Sequence, residues 1–343
     1  MKALVLTDYH RFAIEDRPKP QPRPDEVVVR VRACGICGSD VHGMDGSTGR
    51  RIPPIVMGHE AAGEIDELGA DVTGWKEGER VTFDSTVYCG KCWHCRRGEV
   101  NLCDNRRVLG VSCSDYRRDG AFAEYVAVPQ HILYRLPAKL SFDQAAMVEA
   151  VSVAAHAVQR AALPSGASAV VVGSGMIGLL VVQVLRAAGC RLVVAIDLDE
   201  SRLRLAKKLG ATEVLAAGDP AVADKVRGLT GGHGADAAFE VVGITPTLKT
   251  AIACVRKGGS VTLVGNLAPQ VELPLQTVVT RELRLNGTCA SAGEYPACLD
   301  LIADGKINVT EFISAVAPLE DGPKWFEKLH RGEKGLMKVL LKP

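Results

Sequence analysis

Residues 168–178 read Ser168-Ala169-Val170-Val171-Val172-Gly173-Ser174-Gly175-Met176-Ile177-Gly178. An apolar run of strand length leads into a G-x-G-x-x-G turn, and an apolar helical pattern over Met176–Ala188 follows. The first glycine permits the tight turn. The second lets backbone approach a pyrophosphate, and the third lets helix pack closely on strand, with the helix N-terminus facing the phosphates. Such a turn alone is a weak signal, and its context decides it. Val193-Val194-Ala195-Ile196-Asp197 is a second apolar strand that ends in an acid, nineteen residues after Gly178. Asp197 can accept hydrogen bonds from both adenosine ribose hydroxyls and repels a 2′-phosphate, which favours NAD over NADP. Arg202, five residues on, is the residue that could instead accompany a 2′-phosphate.

The same alternation extends outward from this turn. Gln144–Ala162 is alanine-rich and compatible with a helix. Ala169–Val172 and Arg191–Ile196 read as strands, Ser201–Leu209 as a helix closed by Gly210, and Ala237–Val242, Ser260–Val264 and Leu283–Leu285 as further strands. Strands separated by helices predict a parallel sheet covered on both faces. Residues 1–150 are different. Lys2–Leu6, Glu26–Ala33, Ala61–Leu68, Arg80–Phe83 and Ala123–Val128 are short apolar or alternating runs punctuated by Gly and Pro, and helical periodicity is scarce. After residue 287 the chain returns to mixed polar sequence with a helix at Tyr295–Asp304. The expected fold class is therefore α/β: a β-rich domain over residues 1–148 and a doubly wound dinucleotide domain over residues 149–286, while periodicity alone does not assign residues 287–343 to either.

A chain of 343 residues is long enough for two domains with cores of their own. Hydrophobic residues make up 47% and charged residues 24%, which excludes a disordered chain. Lys and Arg number 41 against 40 Asp and Glu, a net charge of +1, so no nucleic-acid partner is expected. No apolar run reaches the roughly 18 residues of a membrane helix. Met1–His10 lacks the apolar segment and cleavage site of a secretory signal, and the expected location is cytoplasmic. Eleven cysteines, an odd number, argue against a disulfide framework.

The cysteines are clustered instead. Cys89, Cys92, Cys95 and Cys103 fall within fifteen residues, in a lobe of about residues 85–105. Four thiolates suit a closed tetrahedral zinc site with no open position for chemistry, and a four-cysteine iron–sulfur cluster is the alternative. Lys91, Arg96 and Arg97 would offset part of the charge of such a centre. A second constellation is Gly35-Ile36-Cys37-Gly38-Ser39-Asp40-Val41-His42 followed by Gly58-His59-Glu60. Cys37, His59 and Glu60 offer S, N and O ligands, a mixed set typical of zinc with an exchangeable position. Glu149 lies far off, where the two sequence patterns meet.

With these features the chain resembles the zinc-containing medium-chain alcohol dehydrogenases, and within them the polyol (sorbitol-type) and threonine dehydrogenase branch. The resemblance spans essentially the whole chain: Cys34–His42, Gly58–Glu60, the four-cysteine lobe, Gly120–Val126, Val148–Val158, Gly173–Gly178 and Gly234–Gly243. It implies a GroES-like catalytic domain, a Rossmann domain, an active site in the cleft between them, and the return of the C-terminus to the first domain. It also implies two zinc ions per chain, NAD, a homodimer or homotetramer, and reversible oxidation of a small-molecule alcohol. By resemblance, Cys37 and His59 bind the catalytic zinc, Glu60 is a third or alternating ligand, and Glu149 binds zinc or its water. Ser39 matches the hydroxyl that contacts the reacting oxygen, His42 the end of the proton relay, and Asp40 the acid behind a metal ligand. Val153, Val264 and Gly265 would pack near the nicotinamide.

Two departures bear on the substrate. The sorbitol enzymes carry an Arg-Tyr pair where this chain has Ala290 and Ser291, and an aromatic residue where it has Gly43. Arg50-Arg51 and Tyr116-Arg117-Arg118 are basic loops that would hold a phosphate or carboxylate at a cleft mouth, or else are solvated. The expected function is oxidation of a sugar alcohol's secondary hydroxyl to a ketone. A sugar-alcohol-phosphate or threonine-type dehydrogenase is the nearest enzymatic alternative, and a silent zinc- and dinucleotide-binding redox sensor the non-enzymatic one.

Overall fold

The computed structural model describes all 343 residues. The chain forms two compact units, one of Met1–Glu149, Tyr295–Ala303 and Val309–Pro343, the other of Ala150–Glu294 and Asp304–Asn308.

The first unit is built on a seven-stranded sheet in the order Leu133–Arg135, Arg80–Phe83, Glu60–Leu68, Glu26–Gly35, Lys338–Lys342, Ile313–Pro318, with Tyr125–Pro129 also paired to Glu26–Gly35. Every pairing is antiparallel except that of the last two strands. A smaller sheet of Arg11–Asp16, Lys2–Asp8 and Ile55–Val56 accompanies it. Leu4, Leu6, Val29, Phe122, Phe326 and Leu341 belong to one buried cluster of this unit. Register decides where the chemistry sits. Gly35 pairs with Glu60 on one side and with Leu340 on the other, so the ends of three central strands converge. Two residues past Gly35 the chain turns into the helix Gly38–Met44, with Cys37 as its N-cap.

The second unit holds a six-stranded, wholly parallel sheet in the order Glu213–Ala216, Leu192–Asp197, Ser168–Val172, Ala235–Glu240, Val255–Leu263, Arg284–Gly287. Counted along this unit the order is 3-2-1-4-5-6, with the switch point beside Ser168–Val172, where α/β sheets take their ligands. All five residues of Ser168–Val172 are buried, as a strand covered on both faces must be.

The β-rich and βαβ halves match the expected patterns, and three details differ. The helical stretch Gln144–Ala162 is two helices, Phe142–Ala145 and Val148–Ala161, because Ser141 and Gln144 form a capping box that starts an earlier turn. Gly38–Met44, two glycines in seven residues within a region of scarce helical periodicity, is helical, since Cys37 and Asp40 cap it reciprocally. Arg11–Asp16 hairpins onto Lys2–Asp8 through Tyr9-His10, where His10 adopts a positive φ of 61° without the glycine that would have signalled a turn. No helix is long and apolar enough to cross a membrane.

Candidate active site and metal centres

At the converging strand ends, a Cys37 sulfur, a His59 ring nitrogen and a Glu60 carboxylate oxygen all lie within 4.8 Å of one another. Gly58 (φ 93°) makes the approach possible, because a Cβ there would stand 2.9 Å from Cys34 Sγ and from the Phe122 backbone nitrogen. His59 and Glu60 are buried. Glu60 Oε2 is ion-paired with Lys338 Nζ, both side chains 1% exposed. Glu60 Oε1 is buried without a hydrogen-bond partner. A buried, unpartnered carboxylate oxygen beside a thiol and an imidazole is what a zinc ligand looks like without its metal, so the residues fit the ion. Glu149, in the first turn of Val148–Ala161, does not join the 4.8 Å set. Burial, and then the charge of Glu60, push its carboxyl up to about 7.

The polar groups behind the cluster are fixed. Asp40 is fully buried, and its Oδ1 lies 3.3 Å from His59 Nδ1 and 3.2 Å from Arg51 Nη2. Burial alone would raise the Asp40 carboxyl, but His59, Arg51 and the Cys37 N–H hold it down at about 2. For His59 burial acts downward, and the charge of Asp40 carries it well above the usual imidazole range. Ser39 Oγ sits 3.4 Å from His59 Nε2, on the face open to solvent. His42 is exposed, its Nδ1 3.9 Å from Asp45 Oδ2, which also pairs with His330 Nε2 at 3.2 Å.

Two residues of this site escape sequence reasoning. Lys338 opens the strand Lys338–Lys342 and also donates to the Ile36 carbonyl at 3.1 Å. Its signal was a lysine opening an apolar strand, Lys338-Val339-Leu340-Leu341-Lys342. Arg51 reads as a basic loop residue, at a cleft mouth or solvated, yet it is buried. Of the neighbouring basic residues Arg50 is exposed, while Arg117 and Arg118 are also committed. Arg117 donates to the Pro54 and Ile52 carbonyls, and Arg118 to Glu26 Oε1 at 2.8 Å and the Ala127 carbonyl at 3.2 Å.

In the lobe, the sulfurs of Cys89, Cys92, Cys95 and Cys103 likewise lie within 4.8 Å of one another. The Cys103 sulfur accepts the N–H groups of Cys89 and Asn105 at 3.3 Å each, and the Cys92 sulfur that of Cys95 at 3.5 Å. Backbone N–H groups of Lys91 and Cys92 draw the Cys89 thiol down to about 6. Such donors favour thiolate, the form that binds metal. Purified protein is expected to hold about two zinc per chain, one removed by chelator and one resistant. Cys89→Ser should lower the melting temperature and release the resistant ion. Metal analysis before and after chelation checks both, and a single tightly held ion would reject the exchangeable site.

In the second unit the strand ends gather Gly173, Asp197, Val264 and Gly265 at the carboxyl edge of the parallel sheet. Gly173 (φ 100°) and Gly178 are explained internally: a Cβ on the first meets Val242 at 2.5 Å, and on the second the Gly173 carbonyl at 1.9 Å. Gly175 is not, since a Cβ there meets nothing within 4 Å and its φ is an ordinary −70°. What it clears space for is outside the chain. Gly175 is also the N-cap of the helix Met176–Ala187 and supplies no side-chain cap, leaving the terminal N–H groups for an anion. Met176 and Ile177 begin that helix. Asp197 accepts the Ser174 N–H at 2.6 Å and the Asp199 N–H at 2.9 Å, one on each oxygen, which leaves lone pairs for two hydroxyls. Arg202 is exposed, and Val153 is carried by the helix Val148–Ala161 rather than by the strand ends. Glu240, unremarked in the sequence, is buried and accepts N–H groups of Val242 and Gly243 at 3.0 and 2.8 Å, shaping the neighbouring turn.

Comparison with known proteins agrees with this geometry. Residues 23–138 match the family described as "Alcohol dehydrogenase GroES-like domain", and residues 177–304 that described as "Zinc-binding dehydrogenase". The chain is 33% identical to sorbitol dehydrogenase of Bacillus subtilis (strain 168), over 100% of this chain and 97% of that protein. It is 35% identical to the probable D-xylulose reductase A of Aspergillus terreus, over 98% and 97%. A solved structure from Sinorhizobium meliloti 1021, bound to NADP, superposes with a TM-score of 0.89 at 32% identity, covering 100% of this chain and 99% of that one. The strand-end cluster, the four-cysteine lobe, the 3-2-1-4-5-6 sheet and these likenesses agree: the chain belongs to the zinc-dependent medium-chain alcohol dehydrogenases, in their polyol branch.

Proposed function

We propose that this protein oxidises a secondary hydroxyl of a sugar alcohol to a ketone, with NAD as hydride acceptor. The observation that carries the reading is the Cys37–His59–Glu60 set, a half-buried thiol beside two buried side chains and one unpartnered carboxylate oxygen, at the end of the central strands. When bound, zinc supplies the Lewis acidity that makes an alcohol acidic near neutral pH, and the nicotinamide supplies the hydride acceptor. Cys37, His59 and Glu60 would hold the metal, with Glu149 near enough to share Glu60's field. Ser39 Oγ receives the alcohol proton, and the imidazole of His42, exposed to solvent, returns it to water. His59 is oriented by Asp40, so its Nε2 faces the Ser39 side.

The commitment of Arg51, Arg117 and Arg118 to protein partners counts against a phosphate subsite built from them, and so favours an uncharged polyol over its phosphate. The protein is further proposed to be a cytoplasmic homodimer or homotetramer, which sedimentation of the purified chain tests. Turnover is tested by NADH formation across polyols, polyol phosphates and amino alcohols. Activity confined to phosphates or to threonine would replace the polyol reading.

Asp197 is expected to set the cofactor preference. Asp197→Ser should lower the ratio of kcat/KM for NAD over NADP by about 10–100-fold, because it removes both the ribose acceptors and the repulsion of a 2′-phosphate. A ratio unchanged by the substitution would place the selection elsewhere.

A further inference from the structure

We propose that Arg51 is a positioning residue for this reaction: its guanidinium is the permanent counter-cation of Asp40 and, with Ser39, locks the His59 imidazole for the metal. The inference rests on the zinc-centre reading above and adds a residue to it.

Four side chains form a ring, three of its links hydrogen bonds and the fourth, His59 Nδ1 to Asp40, an ion-pair contact without hydrogen-bond alignment. His59 Nδ1 lies 3.3 Å from Asp40 Oδ1, Asp40 Oδ1 accepts from Arg51 Nη2 at 3.2 Å, the same Nη2 donates to Ser39 Oγ at 3.3 Å, and Ser39 Oγ lies 3.4 Å from His59 Nε2. One guanidinium nitrogen thus bridges the groups that flank both nitrogens of the imidazole. A loop arginine ordinarily keeps its head in water. This one is 5% exposed, with Nη1 donating to the Arg50 carbonyl at 3.3 Å and Nε buried without a partner. Burial at that cost needs a reason in its partners.

A second observation is independent of these hydrogen bonds. Gly43 sits inside the helix Gly38–Met44 with no positive φ to demand a glycine. A Cβ there would stand 2.2 Å from Arg51 Cγ and 3.1 Å from Arg51 Cβ. The glycine is explained by the room it leaves for the arginine's stem.

The consequence follows from charge and directionality. Asp40 is wholly buried and takes the Cys37 N–H on Oδ2 at 3.3 Å, so its negative charge needs a cation on Oδ1. Arginine is protonated at every working pH, and its fork holds carboxylate and hydroxyl at fixed angles. With Asp40 held by Arg51, a fixed negative charge stands 3.3 Å from His59 Nδ1, in ion-pair contact rather than an aligned hydrogen bond, and favours the tautomer that leaves the Nε2 lone pair for the metal. With one lone pair of Ser39 Oγ taken by Arg51, the rest of that hydroxyl faces the reacting alcohol. The guanidinium is enclosed and largely bonded, so it is not a docking point for a substrate anion.

The test uses full-length Arg51→Gln, Arg51→Lys and Gly43→Ala. Affinity for the removable zinc is read by chelator competition, with the resistant zinc as internal control, and kcat and KM are read beside it. Arg51→Gln should weaken the removable zinc about 10–100-fold, leave the resistant zinc unchanged, and lower kcat more than it raises the KM for NAD. Arg51→Lys should recover part of the zinc affinity. Gly43→Ala should act in the same direction as Arg51→Gln, and should add little when combined with it. A folded Arg51→Gln protein with native zinc affinity overturns the proposal. Should that variant not fold, native zinc affinity in both Arg51→Lys and Gly43→Ala overturns it equally. Loss of zinc affinity in a protein that turns over no alcohol would overturn the dehydrogenase reading and leave this one standing.

Discussion

Lys338→Met is expected to lower the unfolding free energy of the first unit by about 3–5 kcal/mol, measured by urea titration after the removable zinc has been stripped. Methionine keeps the unbranched apolar stem and removes the charge. Glu60 then retains a carboxylate that is 1% exposed, with Oε1 already unpartnered, and the Ile36 carbonyl loses the donor it had at 3.1 Å. The penalty is that of an uncompensated buried charge, well above the value of a surface ion pair. Space admits no remedy from the neighbouring strand, because a Cβ at Gly35 would stand 2.5 Å from Glu60 Oε2 and 3.3 Å from Lys338 Cδ. Two further results are tied to this cause. Glu60→Gln in the Lys338→Met background should recover most of the loss, since the unpaired charge at position 60 is gone. Restoring zinc should recover part of it, since the freed carboxylate gains a cation. A loss below about 1 kcal/mol in the stripped protein would show that Glu60 escapes to water, and the ion pair would then be incidental.

Lys338 also shows where sequence reading stops. The dinucleotide turn, the four-cysteine lobe and the parallel sheet were legible because each depends on residues close in the chain: glycines at fixed offsets, thiols within fifteen residues, strands alternating with helices. Cys37, His59 and Glu60 were legible because the GICGSD and GHE segments are local too, although what brings them together is the pairing of Gly35 with Glu60. Lys338 arrives from the other end of the chain through the pairing of Leu340 with Gly35, which no periodicity near residue 338 encodes. Arg51 fails for another reason. Its sequence neighbours are polar and glycine-rich, the signature of a solvated loop, and its burial depends on the side chain missing from Gly43. The helix Gly38–Met44 was missed because its stability comes from the Cys37–Asp40 capping box rather than from its composition.

The largest functional effect belongs to His59. His59→Ala is expected to cut kcat/KM by about 10⁴-fold, equivalent to ~5.5 kcal/mol of barrier, with zinc falling from about two ions per chain to about one. Stability should change far less than in Lys338→Met, for a reason specific to this site. Removing the imidazole leaves Asp40 still paired with Arg51 Nη2 at 3.2 Å and still accepting the Cys37 N–H at 3.3 Å, so no buried charge is orphaned. The lobe of Cys89, Cys92, Cys95 and Cys103 shares no residue with the Cys37–His59–Glu60 set, so its zinc should persist as an internal standard for correct folding. Cys89→Ser should show the reverse: a lower melting temperature, and near-native turnover per folded molecule at low temperature. The two variants together separate the ion that does chemistry from the ion that holds structure. Turnover in His59→Ala within about tenfold of the parent, with one zinc lost, would mean that the removable ion contributes less than ~1.4 kcal/mol to the barrier, and the strand-end cluster would no longer be the reaction centre.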